Sequence, residues 1–310
     1  MRRIRLLRTL AGLAGLLAAG PPGRAALPEE LARKLGAATV YIESEVVLSA
    51  TDWDALPEAV RRQVGRRPQG ITSGSGFLIS SDGLVLTNAH VIGLLRQKVT
   101  VGRDGEIEMR FLPLSLKVVV RSGTEGEKTY TPRTVKVDER LDLALLKIPA
   151  QPDVAPLALR PAPPLGIGAA VYMAGFPGGK IPDLAPFGGA ATMTTLRDAR
   201  NPKVSINAGT ITALREEGRG ERKDTIYQLD VRANPGNSGG PILNEEGEVV
   251  AVLNAGIPSM QSINYAIPAR YLKALLPSEL TGAWPGETGT SGEVQAYETF
   301  KASGTFKLGK

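Results

Sequence analysis

The chain has 310 residues, enough for one large domain or two modest ones, and its 42% apolar and 22% charged content is ordinary for a soluble globular protein. Its formal charge of +6 is concentrated in the first 25 residues, where Arg2, Arg3, Arg5, Arg8 and Arg24 face no acid; without them the balance is near neutral and gives no support to nucleic-acid binding by bulk electrostatics. The absence of cysteine excludes a disulfide framework, a thiolate nucleophile and a Cys-based metal site, and a single histidine excludes a histidine-rich one, so no metal and no cofactor are expected.

Residues 1–25 have the three parts of an export signal: a basic start from Met1 to Arg8, an apolar run from Leu10 to Ala19, and Pro21, Pro22 and Gly23 before the small residues Ala25 and Ala26. The apolar run is short of the roughly 20 residues a bilayer span requires, so no stable membrane insertion is expected after signal removal. The expected location is the periplasm or the medium. Residues 26–70 form an N-terminal segment, with a short helix over Pro28–Leu35, a strand over Ala38–Val47 and a charged, partly helical insertion over Thr51–Gly70. From Gly74 short β-rich runs alternate with turn signals: Ser75–Ser80, the turn Ser81–Gly83, Leu84–Asn88, Lys98–Val101, Leu116–Arg121, Arg133–Val137 and Leu143–Ile148. A bridge over Gln151–Pro164 carries five prolines and divides a first strand-rich half, 71–160, from a second, 161–276. The second half has strands at Ala169–Ala174, Val204–Leu214, Thr225–Leu229, Pro241–Leu243, Glu248–Leu253 and Ile263–Ile267, and a closing helix over Ala269–Leu276. A long loop, Gly175–Lys203, either covers a cleft, mediates self-association into a homo-oligomer or is a surface excursion. Residues 277–310 read as a flexible tail, with alternation over Val294–Phe306 that would suit a hairpin. Strand spacing alone supports a barrel or a sandwich.

Three segments carry the chemistry. His90 lies in Thr87-Asn88-Ala89-His90-Val91, Asp142 opens the apolar run Leu143-Ala144-Leu145-Leu146, and Ser238 lies in Gly236-Asn237-Ser238-Gly239-Gly240-Pro241. A serine hydroxyl is a weak nucleophile at neutral pH and needs a base, which needs an orienting partner. His90 has the chemistry of the base, Asp142 that of the group fixing its tautomer, and Ser238 that of the nucleophile. The glycines beside Ser238 leave backbone N–H groups open to a developing oxyanion, which places Gly236, Asn237 and Ser238 in the oxyanion hole. Singly, each residue also has a bland role: a satisfied histidine, an aspartate at a strand start, a glycine-rich turn. Their order and their placement beside apolar strands favour the triad.

These segments, with Gly74-Ser75-Gly76-Phe77 before the histidine strand and Ile263-Asn264-Tyr265-Ala266-Ile267-Pro268 after the serine, resemble the HtrA/Deg branch of trypsin-like serine proteases over about Ala38–Leu276. The resemblance implies an all-β fold of two six-stranded antiparallel β-barrels, chymotrypsin-like, with the active site in the cleft between them. It implies a serine endopeptidase acting on unfolded or flexible polypeptide through an acyl-enzyme, without cofactor. It places substrate binding on Arg232, Asn254, Ala255, Gly256 and Tyr265: Asn254-Ala255-Gly256 pairs with substrate backbone, and Arg232-Ala233-Asn234 with Ser262–Tyr265 forms the pocket walls. Arg232 either selects acidic side chains from the pocket base or points outward to Asp230 or a loop acid. HtrA-type proteins usually carry PDZ domains after the protease; the roughly 35 residues beyond Leu275 are too few, so a PDZ-less form is expected. A binding or chaperone-like protein with little turnover, and an esterase, are the alternatives; the Gly-x-Ser-x-Gly elbow of α/β-hydrolases is not what Asn237-Ser238-Gly239 offers.

Overall fold

The structure is a computed structural model that describes residues 27–50, 54, 58, 69–101, 105–160, 164–179, 201–217, 224–257, 260–281 and 294–296. The export signal, the centre of the charged insertion, most of the Gly175–Lys203 loop and most of the tail lie outside the described residues. Helix α1 (Glu29–Ala38) begins with Glu29 and Glu30, two carboxylates at the positive end of its dipole, and buries Leu35 and Ala38. Thr39 Oγ1 donates to Leu35 O at 2.7 Å and closes it.

The chain then runs through β1 (Thr39–Ala50), β2 (Gln69–Leu78), β3 (Leu84–Thr87), β4 (Leu95–Val101), β5 (Gly105–Val120), β6 (Lys128–Tyr130), β7 (Arg133–Asp138) and β8 (Leu143–Lys147). After the bridge come β9 (Ala170–Gly175), β10 (Ser205–Glu217), β11 (Asp224–Leu229), β12 (Pro241–Leu243), β13 (Val249–Ile257) and β14 (Met260–Pro268). They are followed by a 3₁₀ helix over Ala269–Ala274, the short α2 (Ser278–Thr281) and β15 (Val294–Ala296). The later strands β9–β14 close an antiparallel six-stranded barrel in the order β10-β11-β14-β13-β12-β9. The earlier ones form a curled sheet in the order β15-β7-β8-β3-β2-β1-β5-β4, with β6 on β5. The fold is the all-β, two-barrel, chymotrypsin-like class expected from the resemblance, its first half being a curled sheet with added edge strands rather than a closed ring of six.

Several elements differ from the sequence expectation. Strand β2 starts at Gln69, inside the segment read as an insertion, because it pairs with β1 from Thr39↔Phe77 to Val47↔Gln69. Strand β5 has 16 residues, ten more than its apolar end suggested, and β6 is an addition. Pro113 hid this length, since proline cannot donate to a ladder and usually marks an edge or a bulge. Here the β1–β5 register shifts between Glu45, paired with Ser115, and Val46, paired with Pro113, so Leu114 bulges out and is 55% exposed. The closing segment is a 3₁₀ helix to Ala274, not a helix running to Leu276. Val294–Ala296 pairs with the edge of β7, while the rest of the alternating stretch to Phe306 lies outside the described residues.

The site-bearing strands are buried: β3 (LVLT) is enclosed throughout and β8 (LALLK) up to Lys147, as their unbroken apolar sequences require. One core cluster runs across both halves, taking in Val85, Leu145 and Val118 from the first, and Leu243, Val252, Ile267 and Leu272 from the second and its closing helix. The proline-rich bridge is stitched to both. Gln151 N and Leu157 N donate to Ser81 O and Leu78 O, while Arg160 N and Val249 N bond across to Val249 O and Ala158 O.

Candidate active site

His90 lies in the turn that follows β3, and Asp142 immediately precedes β8, which pairs with β3 through Thr87↔Ala144. This pairing sets the two side by side. His90 Nδ1 is 2.6 Å from Asp142 Oδ2, and His90 N–H donates to Asp142 Oδ1 at 2.8 Å. The Asp142 carbonyl accepts Asn88 Nδ2 at 2.8 Å and Ala89 N–H at 3.2 Å. To wrap the 88–90 turn in this way Asp142 takes φ of 54°, a left-handed conformation that is uncommon outside glycine and easiest for Asn and Asp. Both side chains are about a quarter exposed, which leaves the imidazole reachable from solvent.

Ser238 lies in the turn leading into β12, in the second half. It meets the histidine side through close backbone packing. A Cβ on Gly74 would be 2.5 Å from a Val91 methyl and 3.0 Å from Ser238 O. A Cβ on Gly239 (φ 82°) would collide with Ser75 O and Thr87 Oγ1, the residues beneath the histidine turn. Among the described residues the Ser238 hydroxyl makes no hydrogen bond, and in substrate-free sites such bonds are commonly long and tighten on binding.

The turn around Ser238 is fixed peptide by peptide. Pro235 O accepts Gly178 N–H at 2.6 Å, Gly236 O accepts Ser75 Oγ–H at 2.7 Å, Asn237 O accepts Gly240 N–H at 3.0 Å and Ser238 O accepts Ser75 N–H at 2.8 Å. Gly236, at φ of 97°, gives the turn its reversal, and a side chain there would strike Phe176 O. The N–H groups of Gly236 and Ser238 have no acceptor among the described residues. Asn237 differs from the expectation in this respect: its N–H donates to Asn234 O at 3.0 Å, so it is not open to an oxyanion. Its side chain is fully buried, with neither polar atom hydrogen-bonded.

Of the residues expected to bind substrate, Asn254, Ala255 and Gly256 lie on β13, where Ala255 pairs with Tyr265 and Gly256 with Asn264 on β14. The other edge of β13 is covered by β12 only as far as Val252, after which Leu253 bonds Gly239 and Gly240; beyond it, among the described residues, no strand follows. Tyr265 is half-buried and Arg232 is exposed. Asp230 gives its carboxylate to Thr210 N and Oγ1 instead of to Arg232, which has no ion pair among the described residues, so no buried cation needs a partner. Asn264 Nδ2, buried, donates to Val231 O at 2.7 Å and sets the wall segment that carries Arg232. Sequence reasoning passed over Ser75, Thr87 and Phe176, whose contacts hold the serine turn; only Ser75's glycine-rich setting hinted at it. Among the described residues no cluster of acids and histidine could hold a metal, and no helix is long and apolar enough to cross a membrane.

Comparison with known proteins bears on the same segments. The family model for a trypsin-like peptidase domain matches residues 74–252, more than half of the chain. The chain is 30% identical over 233 residues to serine protease HTRA1B of Danio rerio, covering 75% of this chain and 40% of that protein. It is 32% identical over 225 residues to a probable periplasmic serine endoprotease, DegP-like, of Hahella chejuensis, covering 69% and 38%. The chain thus spans about two fifths of the length of these curated relatives. Among solved structures, the Rv3671c protease of M. tuberculosis in its active form superposes with a TM-score of 0.51 at 19% identity, over 87% of this chain and 92% of that one, a likeness of fold.

Proposed function

Because this chain belongs to the trypsin-like peptidase domain family, we propose that it is an exported serine endopeptidase of the HtrA/Deg type, cleaving unfolded or flexible polypeptide in the periplasm or the medium. The observation that carries this reading is the paired contact of Asp142 with both the ring and the backbone N–H of the chain's one histidine, at 2.6 and 2.8 Å. A carboxylate held so fixes the ring with Nε2 as the free base.

In this reading Ser238 Oγ bonds to the scissile carbonyl carbon as its proton passes to His90 Nε2. Asp142 stabilises the imidazolium. The oxyanion accepts from Gly236 and Ser238 N–H, each removal of such a donor costing about 3 kcal/mol of barrier. The C–N bond breaks and His90 returns its proton to the leaving amine. Water then bonds to the acyl carbon, losing a proton to His90, and the ester to Ser238 breaks as the hydroxyl regains it. Substrate backbone adds to β13 at Asn254–Gly256, where among the described residues no strand covers the edge beyond Leu253. The exposed Arg232 and half-buried Tyr265 border the pocket mouth, and an exposed guanidinium attracts acidic side chains only weakly through solvent. Homo-oligomers belong to the same reading. Incubating the protein with casein beside Ser238→Ala tests it: cleavage by the first only, with fluorophosphonate labelling at Ser238, is the expected outcome. Cleavage by both, or labelling elsewhere, overturns it.

A further inference from the structure

Ser75 is fully buried on β2 in the first half, yet three of its four hydrogen bonds reach the second. Its N–H donates to Ser238 O at 2.8 Å. Its Oγ donates to Gly236 O at 2.7 Å and accepts from Phe176 N–H at 3.0 Å. Its own carbonyl accepts Thr87 Oγ1 at 2.7 Å, which ties it to the strand leading to His90. We propose that the Ser75 hydroxyl is a positioning residue for the reaction: it latches the Gly236–Asn237 peptide so that the N–H groups on either side of it, those of Gly236 and Ser238, stay turned toward the substrate oxygen. This rests on the endopeptidase reading.

In a trans peptide the C=O and N–H point in opposite directions, so holding the carbonyl fixes the amide. Of the four carbonyls from Pro235 to Ser238, two are held by Gly178 and Gly240 and two by Ser75. The Ser238 carbonyl is held by the Ser75 backbone and is indifferent to its side chain. The Gly236 carbonyl is held by the hydroxyl alone among the described residues. It is also the carbonyl with most freedom to turn, since Gly236 has no Cβ and already has positive φ. Removing the hydroxyl leaves buried Gly236 O and Phe176 N–H unpaired, and rotation of the 236–237 peptide toward water relieves the first. That rotation changes ψ of Gly236 and φ of Asn237, the torsions joining the two donor-bearing peptides. The Gly236 and Ser238 amides then keep only their bonds through Gly178 and Gly240 and lose their fixed relation to each other.

The test compares Ser75→Ala and Ser75→Cys with the unaltered full chain. Peptide hydrolysis gives kcat and KM, and amide hydrogen exchange is followed over residues 234–240. Ser75→Ala is expected to lower kcat at least tenfold, in the range of a weakened oxyanion donor, with KM within about threefold. Exchange at the Asn237 amide, now bonded to Asn234 O, is expected to rise. Ser75→Cys, whose thiol is a weak donor of similar shape, should fall between the two in both readouts. Unchanged exchange over 234–240 overturns the proposal even if no turnover is found in any form. So does a kcat for Ser75→Ala that falls only in step with its folded fraction. Absence of turnover in the unaltered chain instead strikes the endopeptidase reading, leaving the exchange measurement to judge the latch.

Discussion

Asp142 does two physical jobs with one side chain and one unusual backbone angle. Its carboxylate takes the ring and N–H of His90, and its carbonyl takes Asn88 and Ala89, while φ stands at 54°. Asparagine tolerates that angle nearly as well as aspartate, but its amide would donate to Nδ1 and favour the tautomer with Nε2 protonated. Asp142→Asn is therefore expected to lower kcat about ten-thousandfold, as wrong-tautomer variants of such triads do, with little change in melting temperature. Asp142→Ala should lose activity similarly and also about 1–2 kcal/mol of stability, because alanine is strained in the left-handed region. Steady-state kinetics beside thermal melts separates the two; equal stability of both variants would remove the backbone argument. The adjacency of His90 and Asp142 was legible in the chain because each stands beside an apolar strand, and the order His90, Asp142, Ser238 is what the proposed triad rests on. The role of Ser75 was not, since its partner Gly236 is 161 residues away and no local pattern marks so distant a bond.

At the level of elements, the bridge between the halves shows how polar groups complete what strands begin. Arg160 Nη1 donates to Glu248 Oε2 at 2.7 Å, and Asn244 Nδ2 bonds the same oxygen at 3.0 Å, closing the β12–β13 turn against the bridge. The hydrogen bond from Arg160, then that from Asn244, hold the Glu248 carboxyl below the usual carboxylate range. A depressed folded-state value means that its stabilisation is present above the unfolded value, near pH 4.3, and is lost as pH falls through the folded one. Glu248→Gln should thus melt slightly below the unaltered chain at pH 7, and the gap should close on acidification below about pH 4. The effect is small because both side chains are about a third exposed and screened by solvent. Melting curves from pH 7 to pH 3 measure it, and a gap that widened toward pH 3 would reverse the sign argued here. Periodicity found β3, β7, β8 and β12 within a residue or two, because each is short and bounded by turns. It missed most of β5, where the bulge at Leu114 lets a proline stand inside a long strand; such a bulge depends on the partner strand and cannot be read from β5 alone.

For the whole molecule, the decisive fact is that one core cluster spans the two halves, which also contribute jointly to the proposed site. His90 and Asp142 belong to the first half, Ser238 to the second, and the Ser75 bonds cross between them. The core cluster is equally indifferent to the division: Leu272, fully buried in the 3₁₀ helix after β14, belongs to the same cluster as Val85, Leu145 and Leu157. Had the halves been separate cores joined by a linker, each would unfold by its own transition. The cluster that spans both halves argues for one, even though the second barrel also has a cluster of its own around Met173, Ile211 and Tyr227. Truncating Leu272 to alanine should cost about 2–5 kcal/mol, the usual range for a buried leucine. Because Leu272 belongs to a cluster that spans both halves, the loss should be felt at Ser238 and in the first sheet together. Urea unfolding of the unaltered chain and of Leu272→Ala, followed both by far-ultraviolet circular dichroism and by fluorophosphonate labelling, is the measurement. The two probes should trace one transition in each protein, with the variant's midpoint lowered equally for both. Labelling lost well before the strand signal would mean that the second barrel opens alone, and that the site is held by the Ser75 bonds rather than by the common core.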